Sequence, residues 1–506
     1  MVGRGLAGER VARGLALAAL ANLVVFSPAV AQPVTPPTAA PAAQAVVPPP
    51  PPPPVVIPDL TVAQAQTAIR VLQEADLHGL QPKAYLPDGV SGALSPTQQS
   101  ALTEGLLDYA RDVRIGRMAP EDFPDAWAVR PAAYDPTADL AQALGEDRLQ
   151  AWLDSLPPRY SGYAALKRGL ARYRDIAVSG GWKTLPAGKP MGLGSTDPRV
   201  AALRVRLAAE DPQALVVGAA VFDKPLQEAV QRAQRRFGLK PDGVVGRDLL
   251  SHLNQPVGQR VLQIIANMER WRWMPSTMPA TRVQVNAGAA VVTLFRDDKP
   301  VMSMKAVSGR PGDETPMLVS SIHSVVINPP WNVPYSIADR ELWPKEKASP
   351  GYLARNGYRI IDVPGGKPRL QQASGDESAL GRFKFDFDNP FAVYLHDTPA
   401  KGGFDLFARQ ASHGCVRLEK PRALAEALLE GNSTWTPDAI DTQLLGDKTV
   451  RARLTAQVPV FIFYWTTFAG ADGQMHFRTD PYNWDRDLLQ RVGVLSAPAK
   501  PPPAKV

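Results

Sequence analysis

The chain has a single cysteine, Cys415, set in Ser412-His413-Gly414-Cys415-Val416-Arg417, with a second histidine upstream in Tyr394-Leu395-His396-Asp397-Thr398-Pro399. The thiolate is the attacking form of cysteine, and a neighbouring imidazole can take the thiol's proton and stabilise the anion. Two of the chain's six histidines therefore stand where a cysteine nucleophile needs a base. Gly414, directly before the thiol, permits a tight turn that aims the amides around Gly414 and Cys415 at a developing oxyanion. The competing reading of the same residues is a structural cysteine, because a free thiol packs as a small hydrophobe.

The rest of the chain bears on that choice. Residues 1–31 carry Arg4, Arg10 and Arg13, an apolar run from Leu15 to Phe26, and the small-residue stretch Ala29-Val30-Ala31. This is the pattern of an export signal cleaved after Ala31; left uncleaved it would tether the protein to a membrane, although the run is short for a span. One cysteine cannot form an internal disulfide, and an unpaired thiol in an oxidising compartment is a liability unless it is used. Residues 32–58, with consecutive prolines from Pro48 to Pro54, read as a disordered polyproline-type linker, and residues 491–506 as a disordered tail. A formal charge of +7 on 506 residues is modest. No interleaved basic and aromatic patch suits nucleic acid, and an anionic wall or membrane surface is the favoured partner.

The length calls for several domains, and the spacing of apolar residues divides the body into three. Residues 59–191 read as a helical scaffold, with helical periodicity over Thr61–Gly79, Ala101–Ile115 and Tyr163–Ile176. Residues 192–257 form a small helical module: helices over Asp197–Leu207 and Pro225–Phe237, the turn Gly238-Leu239-Lys240-Pro241-Asp242-Gly243-Val244-Val245-Gly246, and a short helix through Leu249, Leu250 and Leu253. That order resembles the three-helix peptidoglycan-binding module of wall enzymes, with Asp248 where that family carries threonine. A helical spacer that binds nothing is the other reading. Residues 258–490 read as a mainly antiparallel β domain, with strands over Arg282–Asn286, Ala289–Phe295, Val301–Val307, Ile322–Ile327, Ala392–Leu395 and Val458–Trp465, and a helix over Ala423–Leu429. An insertion at about 337–378 has the length and Gly/Pro content of a lid. The fold class is multidomain α+β.

His396, followed after the intervening segment by Ser412-His413-Gly414-Cys415-Val416-Arg417, resembles the signature of the L,D-transpeptidase catalytic domain of YkuD type. Further stretches are similar to its large periplasmic subgroup, which combines a scaffold domain, a peptidoglycan-binding module and an inserted capping subdomain: Asn267-Met268-Glu269-Arg270-Trp271-Arg272-Trp273, Asn328-Pro329-Pro330-Trp331-Asn332-Val333-Pro334, Leu380-Gly381 with Lys384-Phe385, and Tyr394 to Pro399. Gln371 to Ser378 departs from that subgroup, which carries proline and asparagine before the Leu-Gly.

The resemblance implies a periplasmic, wall-associated enzyme. Cys415 would attack the carbonyl between the third and fourth residues of a peptidoglycan tetrapeptide stem, release D-alanine and pass the acyl group to a stem amine, making a 3-3 cross-link in cell wall biogenesis. It assigns His396 as general base and proton donor, with the Asp397 backbone carbonyl orienting its other ring nitrogen, and His413 and Gly414 to the oxyanion turn. Arg417 has two readings, a fork that grips a stem carboxylate or an internal ion pair. Tyr394 either borders the oxyanion site or packs on its strand; Trp331 and Arg409 carry the same pair of readings, and Ser412 completes the substrate-binding candidates. Stem peptides and glycan are the expected partners and a carbapenem the expected covalent inhibitor. His78, His252, His323 and His476 stand apart with no metal-ligand spacing, so neither metal nor cofactor is expected. An L,D-carboxypeptidase, an enzyme attaching an envelope protein to the wall, and a non-catalytic wall-binding protein are the alternatives.

Overall fold

The computed structural model describes residues 54–90, 94–214, 216, 218 and 220–496. The expected export signal, most of the proline-rich linker and most of the tail lie outside those residues.

Local sequence signals start the first helices. α1 (Val62–Gln73) and α2 (Pro96–Ile115) each open on a capping box, Thr61 with Gln64 and Ser95 with Gln98, which satisfies amides that have no intrahelical partner. Their inward faces pack with α3 (Thr137–Gly145) and α4 (Leu149–Ser155) into a core of their own, built on Leu72, Leu102, Leu106, Leu140 and Leu153. α3 and α4 were absent from the sequence reading because so few turns give little periodicity. α5 (Ser161–Val178) turns its apolar face the other way, into the main core.

The module is α6 (Val200–Ala208), α7 (Lys224–Phe237) and α8 (Arg247–Leu253). Asp223 caps α7, and Gly238, at φ +75°, ends it in the left-handed conformation that favours glycine. Gln234 then fastens the following turn to α7, donating to Asp242 Oδ1 at 2.7 Å and accepting from the Gly243 amide at 2.8 Å.

The change to strands read at about Gly258 does not occur there. α9 runs Val257–Arg272, and the first strand begins at Arg282. The helix is buried on nearly every side along its second half, so no polar face marks its period. Its charges are the joints between neighbours. Glu269 meets Arg117 from the end of the scaffold's second helix and Arg272 from its own turn, Arg270 pairs with Asp485, and Asn267 bonds both the amide and the hydroxyl of Thr466.

The catalytic region is built on nine strands: β1 (Arg282–Asn286), β2 (Val291–Arg296), β3 (Lys299–Gly309), β4 (Leu318–Ile327), β5 (Phe383–Phe387), β6 (Leu395–His396), β7 (Gln410–Ser412), β8 (Val416–Leu418) and β9 (Val450–Phe463). Their order is β7-β3-β8-β6-β5-β4-β9-β1-β2, and β3 also pairs with β2, so the sheet curls back on itself. The α+β class holds, but the sheet is mixed: β1–β9, β3–β7 and β6–β8 are parallel. Parallel neighbours need long connections, and these join segments too distant in sequence for local alternation to reveal. The insertion has its own small core of Val333, Ile337, Leu342, Leu353 and Leu370 and its own sheet, which begins at Trp331, upstream of the expected boundary.

Candidate active site

Strand register assembles the site. β6 and β8 pair in parallel, with Leu395 opposite Val416 and His396 opposite Arg417, and the Val416 amide donates to the Tyr394 carbonyl at 3.0 Å. Successive strand residues face opposite ways. Leu395 and Val416 are fully buried in the core, so Tyr394, His396, Cys415 and Arg417 share the other face. β5 extends the row: Lys384 is opposite His396, while Phe383, Phe385 and Phe387 point into the core. His396 is thus flanked across two strand pairs by Lys384 and Arg417.

That position explains its titration. Burial, then the Arg417 charge, and to a lesser degree Lys384, bring the His396 imidazolium down to about 3 against the opposing hydrogen bond to Asp397. The ring is neutral at ordinary pH. His396 Nδ1 donates to the Asp397 carbonyl at 2.5 Å, which leaves Nε2 as the nitrogen with a free lone pair. Asp397 is itself held: its carboxylate accepts from the Arg382 amide at 2.9 Å and the Thr398 amide at 2.7 Å, and pairs with Lys401 at 2.5 Å. Gly381, at φ +56°, makes this possible, because a Cβ there would lie 2.5 Å from the Asp397 carboxyl carbon.

Cys415 is half-buried. Burial pushes its thiol up, while hydrogen bonds from the Tyr394 backbone amide and phenol and the charges of Lys384 and Arg417 pull the other way. The thiol shares its sheet face with a neutral imidazole, and donors for a thiolate surround the sulfur. Burial and the neighbouring sulfur raise the Tyr394 phenol far above its usual range, so it remains a donor, and the Trp331 side chain hydrogen-bonds to it. Tyr394 therefore touches the sulfur rather than merely packing on a strand, and Trp331 reaches the site through it.

The other candidates separate. Ser412 is buried, its hydroxyl donating to the Cys415 carbonyl at 2.5 Å and accepting from the Gly414 amide at 3.2 Å. It braces the turn instead of presenting a group to substrate, and it occupies the Gly414 amide that the oxyanion reading wanted. Gly414 has φ +104° and its carbonyl accepts from Thr315 Oγ1 at 2.7 Å. Arg409 donates to the Leu406, Ala289 and Ala290 carbonyls and ties the β1–β2 turn to the approach of the cysteine loop. Arg417 forms no ion pair among the described residues, and its Nε is buried without a hydrogen-bond partner, which leaves the internal ion pair without support. His413 Nε2 bonds Glu341 Oε1 of the insertion at 2.6 Å.

Two residues were not among the sequence's site candidates, although Lys384 stood in a stretch similar to the family. Lys384 has its ammonium 4.3 Å from the centre of the Tyr394 ring; alternation within β5 puts it on the polar face, but only register puts it beside His396. Glu341 has no sequence signal, because its partner lies far along the chain. Among the described residues no group of three His, Cys, Asp or Glu side chains is placed to hold a metal, and no helix is long and apolar enough to cross a membrane.

Residues 280–440 match the L,D-transpeptidase catalytic domain (YkuD), residues 58–170 a scaffold domain, and residues 196–253 the family described as "Putative peptidoglycan binding domain". A Haemophilus influenzae protein named "Putative L,D-transpeptidase" is 33% identical over 242 residues, covering 45% of this chain and 48% of that protein. The chain thus matches about half the length of that relative. Crystal structures of L,D-transpeptidases from Xylanimonas cellulosilytica and Stackebrandtia nassauensis are 17% and 13% identical, each over 55% of this chain and 99% and 96% of theirs, with TM-scores of 0.19 and 0.23. Scores that low carry no structural argument. The matched families, in the chain order of the folded elements, identify the protein as one that carries a YkuD-type L,D-transpeptidase catalytic domain behind a scaffold domain and a peptidoglycan-binding-type domain.

Proposed function

We propose that the protein is an exported, wall-associated L,D-transpeptidase that forms 3-3 cross-links. One observation carries the reading: Asp397 holds His396 with Nε2 free on the sheet face that bears Cys415. As the sulfur attacks the carbonyl between stem residues three and four, His396 Nε2 takes the thiol proton and a C–S bond forms. The same imidazolium gives that proton to the departing D-alanine nitrogen as the C–N bond breaks. The thioester is then resolved by an amine of a second stem, His396 taking the amine's proton and Cys415 leaving as thiol. Tyr394 stabilises the sulfur anion. Arg417, a half-buried cation without a carboxylate partner among the described residues, is suited to a stem carboxylate.

The module is the second point of wall contact in this reading. A cavity of about 670 Å³ separates its turn at Lys240 and Arg247 from Phe404 to Arg409, the segment that leads into β7 and the cysteine loop. A carbapenem, an acyl donor with a strained carbonyl, is the expected covalent inhibitor.

The test is mass spectrometry of the purified protein with disaccharide-tetrapeptide, beside Cys415→Ala. A dimer formed with loss of one D-alanine, absent from the variant, establishes the reaction and its nucleophile. Tripeptide without dimer makes water the acceptor, and transfer to an envelope-protein lysine alone makes it an attachment enzyme. No acylation of Cys415 by substrate or carbapenem overturns the enzymatic reading.

A further inference from the structure

The turn that carries Cys415 is braced from two directions. From the catalytic core, Thr315 Oγ1 donates to the Gly414 carbonyl at 2.7 Å and the Arg310 amide donates to the Ser412 carbonyl at 2.9 Å. From the insertion comes one carboxylate. Glu341, on the helical turn Ala338–Leu342, accepts from His413 Nε2 at 2.6 Å and from Arg310 Nη2 at 3.2 Å. These contacts close a ring: Glu341 to His413, along the backbone to Ser412, from its carbonyl to the Arg310 amide, and through the Arg310 side chain back to Glu341. A closed ring fixes the turn far better than any single bond, because moving one member strains the rest. The same corner holds Asp313, which pairs with Arg310 at 2.9 Å and Arg340 at 2.8 Å. Arg340 therefore anchors the insertion to the core without touching His413.

We infer that Glu341 is a positioning residue: the insertion's carboxylate holds the His413 imidazole, and through it the Ser412-to-Cys415 turn, in the geometry from which the thiol attacks. The assignment rests on the transpeptidase reading and deepens it. It makes the insertion part of the active site's support as well as its cover, so that the nucleophile turn is fully ordered only while the insertion is seated. The ionisation of Glu341 fits this use: burial opposes it, but the hydrogen bond and charge of His413 and of Arg310 outweigh that and keep the carboxyl below its usual range. The bond also commits His413 Nε2 to donating, which removes that nitrogen from competition with His396 for the thiol proton.

The experiment compares Glu341→Ala, Glu341→Gln and Arg340→Ala with the full-length protein in two assays. One is dimer formation from disaccharide-tetrapeptide, with kcat and KM separated. The other is the rate of alkylation by iodoacetamide, which reports Cys415 alone because it is the only cysteine. The expected result is a fall in kcat of about 10- to 100-fold for Glu341→Ala with little change in KM, since small displacements of a reacting group cost that much. Its alkylation rate should change at least threefold. Glu341→Gln, whose amide oxygen accepts the same hydrogen bond, should retain kcat within about fivefold, and Arg340→Ala within about twofold. The inference is overturned if Glu341→Ala keeps kcat and alkylation within twofold of the parent. It is equally overturned if Arg340→Ala matches Glu341→Ala, because the residue would then only anchor the insertion, or if Glu341→Gln loses as much as Glu341→Ala. If no dimer forms even with the parent protein, the transpeptidase reading fails, and alkylation still decides whether Glu341 positions the thiol.

Discussion

Two clusters of buried charge serve opposite ends in this molecule. At the joint around α9, the Glu269 carboxylate is fully buried between Arg117 and Arg272, at 3.1 and 2.7 Å, and accepts the Arg117 amide as well. In the active site, Arg417 is half-buried with no carboxylate partner and its field falls on His396 and Cys415. In the first cluster both guanidinium groups meet the carboxylate between them, and the contact ties the scaffold to α9. The second has no carboxylate partner among the described residues, and its charge adds to burial in holding His396 deprotonated. Taking charges out of water is costly unless they are paired, so an unpaired, half-buried cation costs stability that the paired cluster does not give up.

The sharpest way to break the comparison is to remove the carboxylate from the paired cluster. Glu269→Ala leaves two buried guanidinium groups facing each other and should destabilise the fold by about 3–5 kcal/mol, read as a lowered urea midpoint. Little loss would mean that water or rearrangement compensates, and the joint would not depend on pairing. The matching change in the site should do the reverse. Arg417→Met removes an unpaired cation from apolar surroundings, so stability should hold or rise, while turnover falls by about 100-fold, equivalent to about 2.7 kcal/mol in the barrier. Without the Arg417 charge the His396 pKa rises from about 3 toward its ordinary value. The acid limb of the rate profile, set by protonation of the base, should therefore move to higher pH. A profile that does not move would remove Arg417 as the cause of the neutral ring.

The same contrast explains what could be read from the sequence. Cys415, His396 and the turn residues were legible as candidates because a cysteine nucleophile calls for those residue types, and the motif keeps them close in the chain. Asp397 was legible as an orienter because its carbonyl is adjacent to the ring it holds. Lys384 was not, since its place beside His396 depends on how β5 and β6 align, and register is set by tertiary packing. Nor was Glu341, whose partner is brought to it by the folding of the whole insertion. α9 was mistaken for the start of the β region because burial on all sides replaces the usual polar stripe with Glu269, Arg270 and Arg272, each charged for the sake of a distant partner. Ser412 was among the substrate-binding candidates, yet its hydroxyl bonds the backbone of the cysteine turn, and the Arg409 Nη atoms bond backbone carbonyls while its Nε has no hydrogen-bond partner among the described residues.

Gly381 allows a smaller test, in which no charge is altered. A Cβ at this position meets the Asp397 carboxyl group at 2.5 Å and φ is +56°. Gly381→Ala should cost about 1–3 kcal/mol through the strained backbone and the displaced aspartate. Because the Asp397 carbonyl holds His396, kcat should fall more than stability alone predicts. Equal stability with normal turnover would show that the His396–Asp397 bond tolerates movement.

The smallest effect compares two neutral histidines, one from each region. His252 in α8 stacks on Phe237 with ring centres 4.9 Å apart, and burial, then Arg260 and Arg478, lower its pKa to about 4, with Glu210 opposing. Its neighbours include Phe237 and charged side chains, with no thiol among them. In the unfolded chain a histidine takes up a proton below about pH 6.5, whereas His252 in the folded protein does not until about pH 4. Across that window the unfolded state binds more protons, so stability falls as the pH falls. His252→Phe keeps the stack and deletes the titration. Between pH 7 and 5.5 the variant should lose about 1 kcal/mol less stability than the parent, measured by urea unfolding at both pH values, with turnover at pH 7 unchanged. The corresponding change at His396 would also flatten the acid dependence of stability but would abolish turnover. Depressed titration alone therefore does not distinguish a structural histidine from a catalytic one; the distinction lies in whether a nucleophile shares the face of the sheet.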